Sequence, residues 1–265
     1  MVSVAALAAY LLLGVAAGVL AGMLGVGGGL VIVPVLLWLF ALQGFDGGVV
    51  MHLAVGTSLA TIVFTSLSSI RAHHRRGAVL WPVVAQLTPG VILGAWLGAA
   101  VANLLPTSSL RTLFAGFELL VAGQMAFEYA ASPHRQLPGR FAIGGVGLCI
   151  GTVSAVVGIG GGTLTVPFLT WCNVAMRNAV ATSAACGLPI ALAGAIGFVV
   201  SGWHHPALPA ASSGYLYWPA LFGIALTSML FAPLGARLAH TLPVRTLKRF
   251  FALFLALLGI RLLLA

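Results

Sequence analysis

Two glycine-rich motifs contain most of the residues that could bind a ligand. The first is GVGGGLVIVP at residues 25–34, and the second is GIGGGTLTVP at residues 158–167. Glycine lets the backbone approach a ligand closely, and successive unpaired N–H groups form a concavity that binds anions. A helix that begins there directs about half a positive charge at the same point. We therefore expect anion binding by the motif glycines, namely Gly25, Gly27, Gly28, Gly29, Gly158, Gly160, Gly161 and Gly162.

Polar residues follow each motif at matching places. The sequence AVGTS at residues 54–58 returns as AVATS at residues 179–183. Hydroxyl groups donate hydrogen bonds to anionic oxygens, and a basic or amide side chain just upstream would supplement them. The substrate-binding set predicted here comprises Thr57, Ser58, Thr182, Ser183, His52, Arg177 and Asn178.

The same residues have a purely structural interpretation. Small residues permit close helix packing in membranes, and hydroxyls form hydrogen bonds between helices. For the glycines we favour ligand binding, because packing does not require a helix break in both copies. For the two Thr-Ser pairs both interpretations stay open.

The composition defines the environment in which these motifs lie. Hydrophobic residues make up 61% of the 265 residues and charged residues only 6%. Several apolar runs reach about 20 residues, the length that crosses a bilayer core as a helix. In lipid every backbone polar group must be satisfied within its own segment, so such runs are helical. The chain is predicted to be an all-α integral membrane protein whose surroundings are the lipid bilayer.

An internal repeat organises the chain. The glycine motif, the Thr-Ser block, a Trp-Pro pair (Trp81, Trp218) and a Leu-Pro pair (Leu105, Leu242) recur in the same order. We predict a first transmembrane repeat at 1–131, a cytoplasmic linker at 132–140 and a second repeat at 141–265. Each repeat has five predicted helical segments: 4–24, 30–43, 49–70, 81–105 and 110–130, then 141–157, 163–176, 178–200, 218–240 and 247–265.

The second segment of each half is too short for an ordinary span. The residue before a proline is disfavoured in a helix. We therefore expect an extended glycine-rich piece and then a half-helix that begins near Pro34 or Pro167.

The distribution of Lys and Arg predicts the orientation. Basic residues cluster in the loops before segments four and ten and in the linker, whereas the loop at 201–214 has none. Placing the basic loops in the cytoplasm makes corresponding helices run in opposite directions, which is the inverted-repeat architecture of many transporters. The basic residues behind the net charge of +9 thus serve to orient the chain in the membrane, and no nucleic-acid partner is expected.

A few other residues are candidate functional groups. Glu118 lies in the middle of segment five, where an ionisable group is costly, and it serves either proton coupling or an interhelix hydrogen bond. The three cysteines are expected to be core thiols, and the loop histidine pairs lack the acidic or Cys partners of a metal site. We predict no metal, no cofactor and no catalytic residue, and we expect the first 24 residues to stay in the mature protein.

The motif at 158–167, followed by AVATS at 179–183, resembles the signature of the TauE/SafE sulfite exporter family. The first-half copies are similar to the same pattern, except that Gly56 stands where the second copy has Ala181. The resemblance covers nearly the whole chain. It implies a multi-pass carrier of the bacterial inner membrane that exports small sulfur-containing anions such as sulfite, sulfoacetate or other organosulfonates. It also implies that the signature glycines and Thr-Ser pairs bind the anion.

Three functions are considered for a chain with these sequence features. The first is a secondary carrier, since no nucleotide-binding motif is present. Its alternatives are an anion channel or a carrier for another anion, such as thiosulfate, sulfate or a small carboxylate. An intramembrane serine protease is disfavoured because no GxSx motif has an intramembrane His partner. A homodimer is compatible with the lipid-facing surface.

Overall fold

The computed structural model describes residues 3–24, 28–127, 136–238 and 244–264. Their regular structure consists of ten α-helices, which confirms the predicted all-α class. In chain order the helices are α1 (Val4–Leu24), α2 (Gly29–Leu42), α3 (Val50–His74), α4 (Trp81–Leu104), α5 (Thr107–Ala126), α6 (Arg140–Val157), α7 (Gly162–Trp171), α8 (Met176–Gly202), α9 (Trp218–Leu238) and α10 (Val244–Leu264).

Six of the described helices are long and apolar enough to cross a membrane. They are α1, α3 and α4 in the first half and the corresponding α6, α8 and α9 in the second. Large apolar side chains point outward on these helices, for example Leu93 and Trp96 on α4 and Phe222 and Leu230 on α9. Such a surface is unfavourable in water, and lipid is the solvent that suits it. The chain is a multi-pass membrane protein.

The two halves are interleaved. Helix α1 of the first half packs against α9 of the second, and the equivalent pair, α6 and α4, packs in the same way. Helices α3 and α8 contact each other, as do α5 and α10. Each of these helix pairs is therefore matched by the pair formed by the corresponding helices of the other half, or corresponds to itself. This pattern indicates that the halves are related by an approximate two-fold axis.

The contacts between α3 and α8 show that the halves are inverted. A Cβ atom on Gly194 would lie 2.9 Å from the Leu59 side chain, and one on Gly187 would lie 3.3 Å from Ser66 Oγ. As α3 advances from Leu59 to Ser66, α8 therefore runs back from Gly194 to Gly187. These two equivalent helices are antiparallel, as the inverted-repeat prediction requires.

Glycines make close packing possible between helices of different halves. A Cβ atom on Gly94 of α4 would lie 2.1 Å from the Leu148 carbonyl oxygen of α6. One on Gly18 of α1 would lie 2.6 Å from the Ser228 carbonyl oxygen of α9. The packing interpretation therefore holds for the glycines of these two seams, which lie outside the glycine-rich motifs.

The prediction that the short helices begin near their prolines is wrong. Helices α2 and α7 begin at Gly29 and Gly162, and Pro34 and Pro167 lie inside them. The left-handed backbone at the preceding glycine already interrupts the chain, so the helix starts at once. An interior proline frees only one carbonyl group of the preceding turn, a defect that neighbouring helices in membrane proteins can compensate.

Helix α7 is also shorter than predicted. It ends at Trp171, because Asn173 adopts a left-handed backbone with φ 61°. The Asn173 and Val174 amides donate to the carbonyl groups of Thr170 and Leu169, the pattern of a Schellman cap. Residues 128–135 lie outside the described residues, and this gap includes the first part of the predicted linker. The linker boundaries at 132–140 therefore stay a prediction.

Candidate functional site

The two glycine-rich breaks meet inside the protein. Gly29, at the start of α2, lies against Gly158, at the end of α6, so closely that a Cβ atom on Gly29 would be 2.4 Å from the Gly158 carbonyl oxygen. The same oxygen accepts a 2.9 Å hydrogen bond from Ser58 Oγ on α3. Motif residues of both halves thus converge on α3. Gly25 and Gly27 lie outside the described residues.

The backbone at each break requires glycine. Gly28 and Gly161 precede α2 and α7 with φ of 74° and 73°, and Gly158 ends α6 with φ 78°. Among the described residues, the amides at 160–163 donate no hydrogen bond to another residue. The first N–H groups of a helix have no acceptor within the helix. They lie at the positive end of the helix dipole and point away from the helix. The start of α7 therefore has the character of an anion site.

Three buried hydroxyls accompany the start of α7. Ser154 on α6 and Thr163 and Thr165 on α7 have no hydrogen-bond partner for their hydroxyl oxygens among the described residues, and each side chain is at most 8% exposed. Ser154 Oγ and Thr165 Oγ1 both lie 3.6 Å from the position that a Gly161 Cβ atom would occupy. A buried hydroxyl gains free energy from a hydrogen bond, so these three hydroxyls near one helix start are available to bind a polar ligand. We refer to Ser154, Thr163 and Thr165 as the hydroxyl cluster.

The hydroxyl cluster exists in one half only. Around Gly28 the equivalent places hold Ala21 Cβ and Ile32 Cδ1, each 3.6 Å from the corresponding Cβ position. The third equivalent residue, Leu30, is apolar as well. The backbone breaks are thus duplicated, whereas the polar side chains belong to the second half alone. The sequence prediction did not include this cluster. Aligning the two repeats and looking for positions where only one has a hydroxyl residue identifies it.

The breaks lie at the level of the middle of α3. A Cβ atom on Gly158 would lie 3.2 Å from Val55, and Gly160 packs against Gly187 of α8 beside Ser66 of α3. Val55 and Ser66 flank the midpoint of α3, and both side chains are buried. Both breaks therefore lie well inside the helix bundle.

The two threonines of the Thr-Ser pairs hold helix starts in this conformation. Thr57 Oγ1 accepts a 3.0 Å hydrogen bond from the Tyr217 amide before α9, and Thr182 Oγ1 accepts a 3.1 Å bond from the Leu80 amide before α4. The four residues are related by the repeat. Ser183 Oγ donates to the Val180 carbonyl of its own helix. The two threonine bonds fit the interhelix interpretation, whereas the Ser183 bond stays within α8. Contact with an anion stays a prediction for all three residues.

The upstream polar residues contact loops or the end of α4 rather than the motif glycines. Arg177 is exposed and donates to the Arg76 carbonyl, and Asn178 donates to the Ala78 carbonyl. Arg177 lies ten residues before Gly187, roughly 15 Å along α8 at the usual helical rise. His52 is buried, with Nε2 2.9 Å from the Ala102 carbonyl oxygen and its ring against Tyr215. An interaction of these three side chains with an anion remains a prediction.

Replacing Thr57 with Val is expected to lower the unfolding temperature in detergent. The Tyr217 amide would lose its acceptor in a buried setting, which costs about 1–3 kcal/mol. Thr88→Val is the matched control, because Thr88 Oγ1 bonds only the Val84 carbonyl of its own helix. If Thr57→Val instead weakened anion binding with an unchanged unfolding temperature, Thr57 would be a ligand rather than a structural residue.

Glu118 is a second unusual polar residue. It lies on α5, its side chain is completely buried, and neither carboxylate oxygen has a hydrogen-bond partner among the described residues. The interhelix hydrogen bond considered from the sequence is therefore not formed in this conformation. A proton-coupling role for Glu118 stays a prediction.

Many membrane transporters are built as an inverted repeat of helices with central breaks. The chain belongs to the TauE/SafE sulfite exporter family, whose sequence profile matches residues 10–262. It is 39% identical to a probable membrane transporter protein of Haemophilus influenzae, an alignment that covers 94% of this chain and 95% of the relative.

More distant relatives have similar names. The probable membrane transporter protein YdhB of Bacillus subtilis is 24% identical over 93% of this chain and 96% of its own length. A probable membrane transporter protein of Methanocaldococcus jannaschii is 27% identical over 96% and 94%. No solved structure is significantly similar to the chain. The relatives support a transporter and not an enzyme.

Proposed function

We propose that the protein is a secondary transporter that exports a small sulfur-containing anion, such as sulfite or an organosulfonate, across a bacterial-type inner membrane. The observation that carries the proposal is the hydroxyl cluster at the start of α7, where three buried hydroxyls and the neighbouring backbone amides have no hydrogen-bond partner among the residues that the structure describes. Sulfite and sulfonate groups present several acceptor oxygens on one centre, which matches several donors around one point. The name of the family suggests the same substrate class.

Recognition in this proposal relies on hydrogen bonds and the helix dipole rather than on a cationic side chain. Amides at 160–163 and the hydroxyl cluster donate to the anion oxygens, while Gly29 brings the start of α2 to the opposite side. In a low-dielectric interior such oriented dipoles interact strongly with a charge. A neutral site also releases its anion more readily than a buried arginine would.

Alternating access follows from the burial and the symmetry. Ser154 and Thr165 are fully buried, so the conformation is closed around the site. Inverted halves of similar structure can exchange their arrangements and thereby open to opposite faces. This favours a saturable carrier over a channel, because a channel needs a continuous open path.

The test is transport by purified protein in proteoliposomes. Radiolabelled sulfite is expected to move with saturable kinetics, and excess organosulfonate is expected to compete more strongly than small carboxylate. Protein-free liposomes provide the background, and thiosulfate and sulfate test the neighbouring substrates. Absence of sulfite or organosulfonate flux above background would refute the substrate class, and flux that never saturates would refute the carrier.

Glu118 is proposed to couple the anion to a proton. Glu118→Gln is expected to retain exchange of anion for anion, yet to lose most of the acceleration that a pH gradient gives to net flux. The reason is that the amide keeps the shape of the side chain but cannot release a proton. Net flux is measured with and without the gradient, and an equal acceleration in wild type and variant would contradict coupling through Glu118.

A further inference from the structure

A groove at the end of the helix bundle has features that the transport site does not explain. It measures about 390 Å³ and lies between the C-terminal parts of α2 and α10 and the first turns of α5. Its walls are formed mainly by apolar side chains, among them Leu37, Leu258 and Leu262. Arg111 of α5 and Arg261 of α10 also line it.

The two arginines have no carboxylate partner among the described residues. Arg261 lies over the Trp38 ring, with its guanidinium carbon 5.6 Å from the ring centroid. Trp38 is half-exposed, as is common for tryptophan at the level of lipid head groups. Arg111 lies in the first two turns of α5 and Arg261 in the last turn of α10, so both charges are near helix ends rather than in helix middles.

We infer that this groove binds one anionic phospholipid, with its phosphate between Arg111 and Arg261 and an acyl chain along the apolar wall. Basic pockets between transmembrane helices are typical sites for anionic head groups. The apolar wall favours an amphiphile, because a small hydrated anion gains nothing from leucine side chains. The guanidinium groups can bind phosphate oxygens in a bidentate manner. The groove and the hydroxyl cluster are formed by different residues. The outcome of a lipid-binding experiment is therefore independent of whether the proposed transport function is correct.

The test is a titration of purified wild-type protein with phosphatidylglycerol, monitored by native mass spectrometry, with phosphatidylcholine as the neutral comparison. Wild type is expected to bind one phosphatidylglycerol molecule more tightly than phosphatidylcholine. Arg111→Gln and Arg261→Gln should each weaken binding about fivefold, the factor expected for one basic residue near a membrane surface, and roughly thirty-fold together. Arg249→Gln is the control, because Arg249 is an exposed arginine at the other end of α10.

A second variant tests the apolar wall without changing the charge. Ala41→Phe places a ring in the groove, because Ala41 lines it and is exposed, and it is expected to reduce phosphatidylglycerol binding as strongly as the double arginine variant. Equal binding of the two lipids, or undiminished binding in the double variant, would overturn the inference. Stronger competition by sulfite or inorganic phosphate than by phosphatidylcholine would also overturn it, because the groove would then be an entrance for small anions.

Discussion

The double variant Ser154→Ala, Thr165→Val is expected to reduce anion transport about a hundred-fold or more while the unfolding temperature stays unchanged or rises. Hydrogen bonds to charged groups contribute about 1.5–3 kcal/mol each, which converts to roughly ten- to a hundred-fold in affinity per hydroxyl. Both hydroxyls lie 3.6 Å from the position of a Gly161 Cβ atom, which is 2.5 Å from Ile190 Cδ1, so one ligand can contact both hydroxyls once the Ile190 side chain moves. The measurement is sulfite flux in proteoliposomes alongside thermal unfolding of the same preparations.

The opposite signs of the two effects make the test specific. Neither hydroxyl has a hydrogen-bond partner in the part of the chain that the structure describes, so replacing it with an apolar group removes a buried polar atom without removing a hydrogen bond. A residue important only for folding would instead lose stability and transport together. Stability that falls in proportion to transport would therefore contradict a role in binding.

Ser228→Ala is the matched control for Ser154. Ser228 is also fully buried, but its hydroxyl donates to the Ala225 carbonyl within α9 and lies outside the breaks. Its replacement is expected to leave transport close to wild type. A loss of transport equal to that of Ser154→Ala would show that any buried serine matters, and the assignment of the cluster would fail.

The architecture was predictable because it depends on strong and repeated signals. Apolar runs of spanning length specify helices in lipid, and the duplicated blocks specify the symmetry. The pairing of α1 with α9 and of α4 with α6 was less accessible, because sequence periodicity does not indicate which half supplies a helix's neighbour. The start of α2 was misplaced for a local reason: the left-handed backbone at Gly28 begins the helix before Pro34 can influence it.

The site was only partly predictable. The glycines were found because both copies contain them, and a search for shared features necessarily overlooks residues that occur once. Ser154 lies upstream of the second motif and reaches it only because α6 ends at Gly158 and the chain turns back towards α7. Thr163 and Thr165 replace Leu30 and Ile32 of the first copy. The polar residues of one half thus modify a backbone scaffold that both halves share.

Replacing Gly29 with Ala is expected to bring transport close to background and to lower the unfolding temperature. The added Cβ atom would lie 2.4 Å from the Gly158 carbonyl oxygen, a backbone atom that already accepts the Ser58 hydroxyl. The contact can be relieved only by separating the start of α2 from the end of α6. Overpacking of this kind costs about 1–3 kcal/mol, and here it also displaces the two breaks from each other.

The variant Gly94→Ala separates the effect of overpacking on stability from its effect on transport. Its Cβ atom would lie 2.1 Å from the Leu148 carbonyl oxygen, a comparable clash in the α4–α6 seam, and it should lower the unfolding temperature to a similar degree. Transport per folded molecule is expected to persist in Gly94→Ala and to be lost in Gly29→Ala, because only Gly29 lies between the breaks. Gly123→Ala on α5, where a Cβ atom would meet nothing within 4 Å, should leave both properties intact. Wild-type flux in Gly29→Ala would mean that transport does not depend on close contact between the two breaks.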